Sequence, residues 1–353
     1  MRFPVRAPAT DRIMREIKAL LYIETESKDA AFHFSVEEYI MQSPLSDEPV
    51  IMIWQTQPCV MLGNYQIPDM EINLKYAQDA GIQIVRRSSG GGAIFTDLGT
   101  LLYTVILPRM KTQYPQQIAK EMVSSLVIGA LNQMGIPAVL EGRNDILVDG
   151  KKVSGMAQYV RHGQVCTHGS LLFNADLEML TQALRVDADK IRSKAVRSVR
   201  SRVTNLKGYV RTGCSVREFW ELFKRNLFAD RQVRIYELTS HELAQINLIY
   251  LEQYGNPTWT VSRAPRFSFH NSKRFAGGKV EVFLDIVKGT VVSCAIYGDF
   301  LGTAPIRDLE EQIEKIIFQY QSVDSALSEI SLAPFLGDIT KEQLLSCMFD
   351  ETI

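Results

Sequence analysis

No apolar run in the 353 residues approaches the roughly 20 needed to cross a bilayer, so no membrane-spanning helix is expected. An excess of either charge is also missing. The 39 lysines and arginines against 40 aspartates and glutamates leave a formal net charge of −1, so no global field draws in nucleic acid or an anionic membrane. Electrostatic recognition therefore has to be local. The five cysteines, Cys59, Cys166, Cys214, Cys294 and Cys347, contain no C-x-x-C pair. Their odd number suits a reducing compartment better than a disulfide framework. Internal repeats and low-complexity tracts are absent. The first residues, "MRFPVRAPATDRIMREIK", are basic but lack the apolar core and small-residue cleavage site of a secretory signal. Residues 1–16 are expected to be a disordered tail, or to reflect a mistaken start with Met14 as the alternative, and the protein is expected to be cytoplasmic.

What is present is ordinary in bulk, with 46% hydrophobic and 22% charged residues, the mix of a soluble globular protein. The length exceeds what one core usually serves, so two domains are expected. Residues 22–41 read as a helix, with Phe32, Val36 and Ile40 at four-residue spacing. "VIMIWQTQPCVMLG" reads as strand, turn, strand, and "GIQIVRR" as a further short strand. "AIFT" and "TLLYTVILP" read as a paired hairpin joined through Asp97, Leu98 and a left-handed Gly99. "PQQIAKEMVSSLVIGALNQMG" reads as a helix with Ile118, Met122, Leu126 and Ala130 on one face, ended by Gly135 and Pro137. Asp149-Gly150 is a two-residue hairpin signal. The pattern loosens near Pro257 and Pro265, and then alternation at Val280, Val282, Leu284 and Ile286 with a later amphipathic helix reads as a compact sheet-plus-helix unit. The expected division is 1–262 and 266–353.

Three stretches carry candidate chemistry. In "VRRSSGGGAIFTDLG" three glycines let the backbone approach a ligand and turn amides inward. Arg86 and Arg87 add guanidinium donors matched to phosphate or carboxylate. A plain flexible turn is the competing reading, because the triplet matches neither phosphate-loop fingerprint. In "EGRNDILVDGKKVSGMAQ", Asn144 and Asp145 open a strand, alternation places Lys152 and Ser154 on one face with Val153 on the other, and Gly155 leaves room for something to approach. Solvated hairpin lysines are the alternative, and Lys151 is read so. The run Lys190–Lys207 holds seven basic residues and no acidic one. It reads as a loop that screens a bound phosphate or as a solvated cationic loop. A nucleic-acid patch is disfavoured by the lack of interleaved aromatics.

Taken in order, "RRSSGGGAIFTDLG", "GRNDILVDGKKVSG", "HGSLLFNADL" and "SVRSRVTNL" resemble the bacterial lipoate–protein ligase A family, and the likeness continues through "RFAGGKVEVFLDIVKG". It spans nearly the whole chain after about Leu20. The resemblance implies an α+β fold: a catalytic domain of the biotin/lipoate ligase type, with a mixed sheet flanked by helices, and a small C-terminal α+β accessory domain. It implies ATP and lipoate as substrates and Mg²⁺ as cofactor. Lipoate is activated to lipoyl-AMP with release of pyrophosphate, then the lipoyl group passes to a lysine of an acceptor. The implied acceptors are lipoyl domains of 2-oxoacid dehydrogenase complexes and the glycine cleavage H protein, with neither nucleic acid nor membrane as partner, and a monomer is expected.

By the same resemblance Lys152 is the catalytic lysine between carboxylate and α-phosphate, where an ammonium neutralises both reactants. Arg87, Gly92, Ala93, Ile94, Phe95, Asn144 and Asp145 join Lys152 at the nucleotide and the adenylate. Asp145 is also the candidate Mg²⁺ ligand. Arg87, Ser89, Gly90, Gly91, Lys152, His168 and Gly169 are the lipoate-binding candidates, and Trp54 either packs near the ligand or belongs to the core. Thr96-Asp97 stands where many relatives have histidine then aspartate, and Thr100 stands where asparagine is usual, so Thr96 supplies no titrating base. Octanoyl- or lipoyl-transferases that use no ATP are one alternative; those built on an essential thiol need a cysteine that "GRNDILVDGKK" lacks. A nucleotide-binding module is the other.

Overall fold

The computed structural model describes residues 19–185, 202–229, 231–260 and 267–349. The N-terminal tail and most of the Lys190–Lys207 run lie outside the described residues. From the N-terminus the strands are β1 (Ala19–Ile23), β2 (Val50–Trp54), β3 (Cys59–Leu62), β4 (Gln83–Arg86), β5 (Ile94–Thr96) and β6 (Thr100–Leu107). After a helix at Pro115–Gln133 come β7 (Ala138–Glu141), β8 (Asp145–Val148), β9 (Lys151–Arg161) and β10 (Gln164–Leu172). A helix at Val216–Leu227 leads to β11 (Gln232–Ile235), and β12 (Phe269–Phe275), β13 (Gly278–Val287) and β14 (Thr290–Gly298) follow.

Two compact units divide the chain, and they are not sequential. The first takes the described residues within Met1–Cys59, Thr96–Thr181 and Arg197–Gln253; the second takes those within Val60–Phe95, Gln182–Val196 and Tyr254–Ile353. The glycine loop thus groups with the C-terminal residues. In the first unit an eight-stranded mixed sheet runs β11-β1-β2-β6-β10-β9-β8-β7. Parallel pairing joins β1 to β2 and β11, and the remaining pairs are antiparallel. Its core packs Val105, Val153, Val165 and Leu171 with Met122, Val127 and Leu131 of the helix Pro115–Gln133 and with Phe219 and Phe223 of the helix Val216–Leu227. The Phe173 and Phe219 rings stack at 4.3 Å. The helix Val216–Leu227 starts where Ser215 and Glu218 close a reciprocal capping box. In the second unit β12-β13-β14 form an antiparallel sheet whose core includes Val280, Val282, Leu284, Leu309 and Ile313.

Several local expectations are corrected. Residues 22–41 are not one helix: β1 ends at Ile23, and the helix is Ala30–Gln42, capped by the Asp29 side chain on the Ala31 amide. The run Leu20–Ile23 is fully buried, and a short apolar run of that kind reads equally as strand or helix until its neighbours are known. "AIFT" and "TLLYTVIL" form no hairpin. β5 pairs with β3 in a small sheet of order β4-β3-β5, whereas β6 lies between β2 and β10. Gly99 has no positive φ. It is glycine for another reason, because a Cβ there would sit 2.0 Å from the Asn174 carbonyl oxygen. Asp97 holds the corner, accepting from the Gly99 amide at 2.9 Å, the Thr100 hydroxyl at 3.1 Å and the Asp176 amide at 2.7 Å. Asp149 and Gly150 have φ of 49° and 71°, the two left-handed residues that the tight hairpin requires. No described helix is long and apolar enough to cross a membrane.

Candidate active site

The lysine strand comes first. The register from β8 to β9 slips: Leu147 faces Lys152, but Ile146 faces Ser154, so Val153 is an extra residue and the simple Lys152/Val153/Ser154 alternation does not hold. Val153 and Ser154 are both buried, with Val153 in the core. Lys152 stays half-exposed, its Nζ 2.7 Å from Asp145 Oδ1. Its carbonyl accepts from the Thr204 amide at 3.0 Å, which ties the strand to the C-terminal end of the basic run. Gly155 explains itself here: a Cβ would lie 2.9 Å from Lys152 Nζ and 3.1 Å from Cε. The approach that this glycine permits is that of the lysine itself. Asn144 is engaged elsewhere, its amide donating to the Met156 carbonyl while the Met156 amide donates to its own carbonyl. It braces the turn before Asp145. We therefore expect Gly155→Ala to leave the melting temperature near wild type, because the atom it crowds ends a flexible chain, while moving the ammonium and lowering turnover by about 10²-fold. Unchanged turnover would show that the position of Lys152 is unimportant.

The glycine loop is more tightly built than a flexible turn. Arg87 is 4% exposed. Its Nε donates to Ser89 Oγ at 3.0 Å, Nη1 to the Met61 carbonyl at 2.9 Å, and Nη2 to the carbonyls of Gly90 and Gly92 at 2.8 and 2.9 Å. The guanidinium that sequence reading directs at a ligand thus spends these donors on its own loop and on the neighbouring strand β3. Arg86 is buried too, and its hydrogen bonds run to the carbonyls of Gly63, Asn64, Gln66, Trp259 and Thr260. Burial pushes its guanidinium down to about 10, so it remains charged at neutral pH. The three glycines have different reasons to exist. A Cβ on Gly90 would meet the Phe300 carbonyl at 2.4 Å. Gly91 adopts φ of 89°, donates its amide to that same carbonyl at 3.1 Å, and lays its own carbonyl where Gly63 has no Cβ. Nothing lies within 4 Å of a Cβ on Gly92, so it alone of the three presents an open backbone. Ala93 and Ile94 are half-buried beside it, whereas Phe95 is buried.

A third cluster lies within the eight-stranded sheet and the helix Ala30–Gln42. His168 Nδ1 lies 3.0 Å from Glu37 Oε2, Glu37 Oε1 accepts from Thr104 Oγ1 at 2.6 Å, and Thr104 Oγ1 accepts from Trp54 Nε1 at 3.0 Å. All four side chains are buried. Trp54 is a core residue with its one donor satisfied. In the sequence Glu37 shows only as a glutamate on an apolar helix face. Cys166 lies near Glu37 and His168, and burial followed by the Glu37 charge pushes its thiol well up. Gly169 makes room for Tyr103, whose phenol oxygen would be 2.3 Å from a Cβ. Thr96 is buried and shares a 2.8 Å hydrogen bond with Thr56.

His33 stacks on Trp54 at 4.4 Å, and burial pushes it down to about 4. A base with a depressed folded value binds its proton only after unfolding, so stability falls as pH drops below the unfolded value near 6.5. From pH 7.5 to pH 5 this group alone is expected to remove about 2 kcal/mol, read as a lowered urea midpoint. His33→Gln should flatten that dependence, and an equal slope in the variant would assign it to other groups.

With the fold and these clusters in view, the class of protein is defined: a mixed-sheet domain flanked by helices and a small sheet-plus-helix C-terminal region, the architecture of lipoate ligases. A family model described as the lipoyl protein ligase A/B catalytic domain matches residues 29–228, and one described as the bacterial lipoate protein ligase C-terminus matches residues 264–348. The chain belongs to the lipoyl protein ligase A/B family. It is 33% identical over 334 residues to the lipoate-protein ligase LplJ of Bacillus subtilis, covering 94% of this chain and all of that protein. It is 34% identical to a lipoate–protein ligase of Streptococcus pyogenes, covering 91% of this chain and 96% of that one. Among solved structures, LipL1 of P. falciparum in complex with lipoate aligns with a TM-score of 0.73 at 20% identity, covering 88% of this chain and 95% of that chain. A bipartite lipoate protein ligase of Thermoplasma acidophilum aligns at 0.59 and 25% identity, covering 71% and 98% respectively.

Proposed function

We propose that this protein is an ATP-dependent lipoate–protein ligase that makes lipoyl-AMP and pyrophosphate and then lipoylates a lysine of an acceptor lipoyl domain. The observation that carries the reading is Lys152. It is a half-exposed ammonium held 2.7 Å from Asp145 and stationed over a glycine, on the strand where the family resemblance puts its reactive lysine. In the first step a carboxylate oxygen of lipoate bonds to the α-phosphorus of ATP and the bond to pyrophosphate breaks. Both reactants are anions, and two unit charges about 4 Å apart repel by roughly 4 kcal/mol near a protein surface. An ammonium between them removes that cost and stabilises the transition state further. In the second step the acceptor amine bonds to the acyl carbon, AMP leaves with the electron pair, and the amine sheds a proton.

Arg87, Ser89, Gly90 and Gly91 support this reading by holding the loop, and Gly92 to Ile94 offer the nucleotide an accessible backbone. The apolar part of lipoate is retained by burial beside His168 and Gly169, worth about 0.8 kcal/mol per methylene. A Mg²⁺ ion fits Asp145 as a single carboxylate ligand, in the manner of an ion that arrives on nucleotide phosphates. The Lys152 ammonium beside it argues against a dedicated cation cage. Such an ion would supply Lewis-acid neutralisation of the phosphates. Residues 1–262 act as the catalytic region and 266–353 as the accessory region, the acceptors are lipoyl domains of 2-oxoacid dehydrogenase complexes and the H protein, and the enzyme works in the cytoplasm as a monomer. A thiol-based transferase is disfavoured because all five cysteines are buried. The test is pyrophosphate release from ATP with lipoate, without and then with a lipoyl domain. Release that depends on lipoate, followed by a mass gain on the acceptor, is expected. Acyl transfer without ATP would overturn the reading.

A further inference from the structure

The glycine loop is gripped by a stretch 166 residues further along the chain. Past the helix Ser240–Ile249 the backbone makes a π-helical turn at Tyr250–Tyr254, a geometry that is rare and recurs at functional sites. Tyr254 is 2% exposed, and its hydroxyl lies 2.6 Å from Ser88 Oγ. Five residues on, in the short helix Pro257–Thr260, comes Trp259, whose indole Nε1 donates to the Arg86 carbonyl at 2.9 Å. In return Arg86 donates Nε to the Trp259 carbonyl at 3.0 Å and Nη2 to the Thr260 carbonyl at 3.2 Å. The Tyr254 and Trp259 rings meet edge to face at 6.2 Å. Arg86 and Ser88 are the two neighbours of Arg87, so the backbone carrying that arginine is clamped on either side.

We propose that Tyr254 and Trp259 form a strap over Arg86 and Ser88 that fixes Arg87, and through it the carbonyls of Gly90 and Gly92, making Tyr254 a positioning residue for nucleotide binding. The part concerning nucleotide rests on the ligase reading; the part concerning the loop does not. Tyr254 acts on the loop through its hydroxyl contact with Ser88, and that loop is the one with an open backbone at Gly92.

The test uses the full chain with Tyr254→Phe, Ser88→Ala, the double variant, and Ser88→Thr, which keeps a hydroxyl. Hydrogen exchange over residues 88–92 is expected to quicken about five- to tenfold in Tyr254→Phe and in Ser88→Ala, no further in the double variant, and to return toward wild type in Ser88→Thr. In lipoate-dependent pyrophosphate release the same variants should raise KM for ATP by a similar factor while kcat stays within about threefold. Unchanged exchange in both single variants, or exchange effects that add in the double variant, would overturn the strap. A kcat loss at constant KM would overturn its role in nucleotide binding. If wild-type protein releases no pyrophosphate, the ligase reading falls, and the exchange measurements still decide whether the strap exists.

Discussion

Lys152→Ala is expected to lose lipoate-dependent pyrophosphate release by about 10³-fold while its melting temperature stays within about 4 °C of wild type. The activity term is large because removing one preorganised charge from a site where anions meet commonly costs two to three powers of ten. The stability term is small because the ammonium and Asp145 are both about one-third exposed, at 36% and 35%. Ion pairs at that exposure contribute about 1 kcal/mol or less. Lys152→Arg keeps the charge but not the fit, because the lysine tip already lies 2.9 Å from the position of a Gly155 Cβ and a planar fork is bulkier. It should recover little. Wild-type-like release from the alanine variant would remove Lys152 from the chemistry altogether.

Arg87→Met is expected to fail in the opposite way, losing stability together with activity. Ser89 Oγ and the carbonyls of Met61, Gly90 and Gly92 all take hydrogen bonds from this one guanidinium. Stripping a charged donor from buried acceptors removes four hydrogen bonds at once, and a loss of about 3–5 kcal/mol is expected in urea unfolding. Arg87→Lys should also fail, because a single ammonium cannot reach acceptors arranged around a planar fork. If Arg87→Met unfolds at the wild-type midpoint and only KM rises, the arginine serves the ligand and the loop holds itself.

Both variants would be called site mutations from the sequence, and only the contacts separate them. The motifs in "RRSSGGGAIFTDLG" and "GRNDILVDGKKVSG" are legible because residue type and spacing travel with the chemistry. What cannot be read there is which donors are already spent. Arg86 and Arg87 look like a pair of free cations, yet one is taken by carbonyls up to 174 residues away and the other by its own loop. Gly90, Gly91 and Gly92 look equivalent, yet a Phe300 carbonyl occupies the space beside the first and bonds the amide of the second. Glu37 gives little local sign of its role because its partners, Thr104 and His168, lie 67 and 131 residues on.

The sequence by itself determined the features that depend on near neighbours. The Asp149-Gly150 hairpin, the long helix Pro115–Gln133 and the alternation in β13 follow from backbone preferences and side-chain periods acting over a few residues. The tertiary structure alone decided where β5 and β6 pair, that Val153 bulges from its strand, that Gly99 is needed for a close approach to Asn174 and not for a left-handed turn, and that 60–95 groups with the C-terminal residues. The reason is the same in each case. A strand or a hydrogen-bond donor takes whichever partner packing brings to it, and packing joins residues whose separation along the chain carries no local signal.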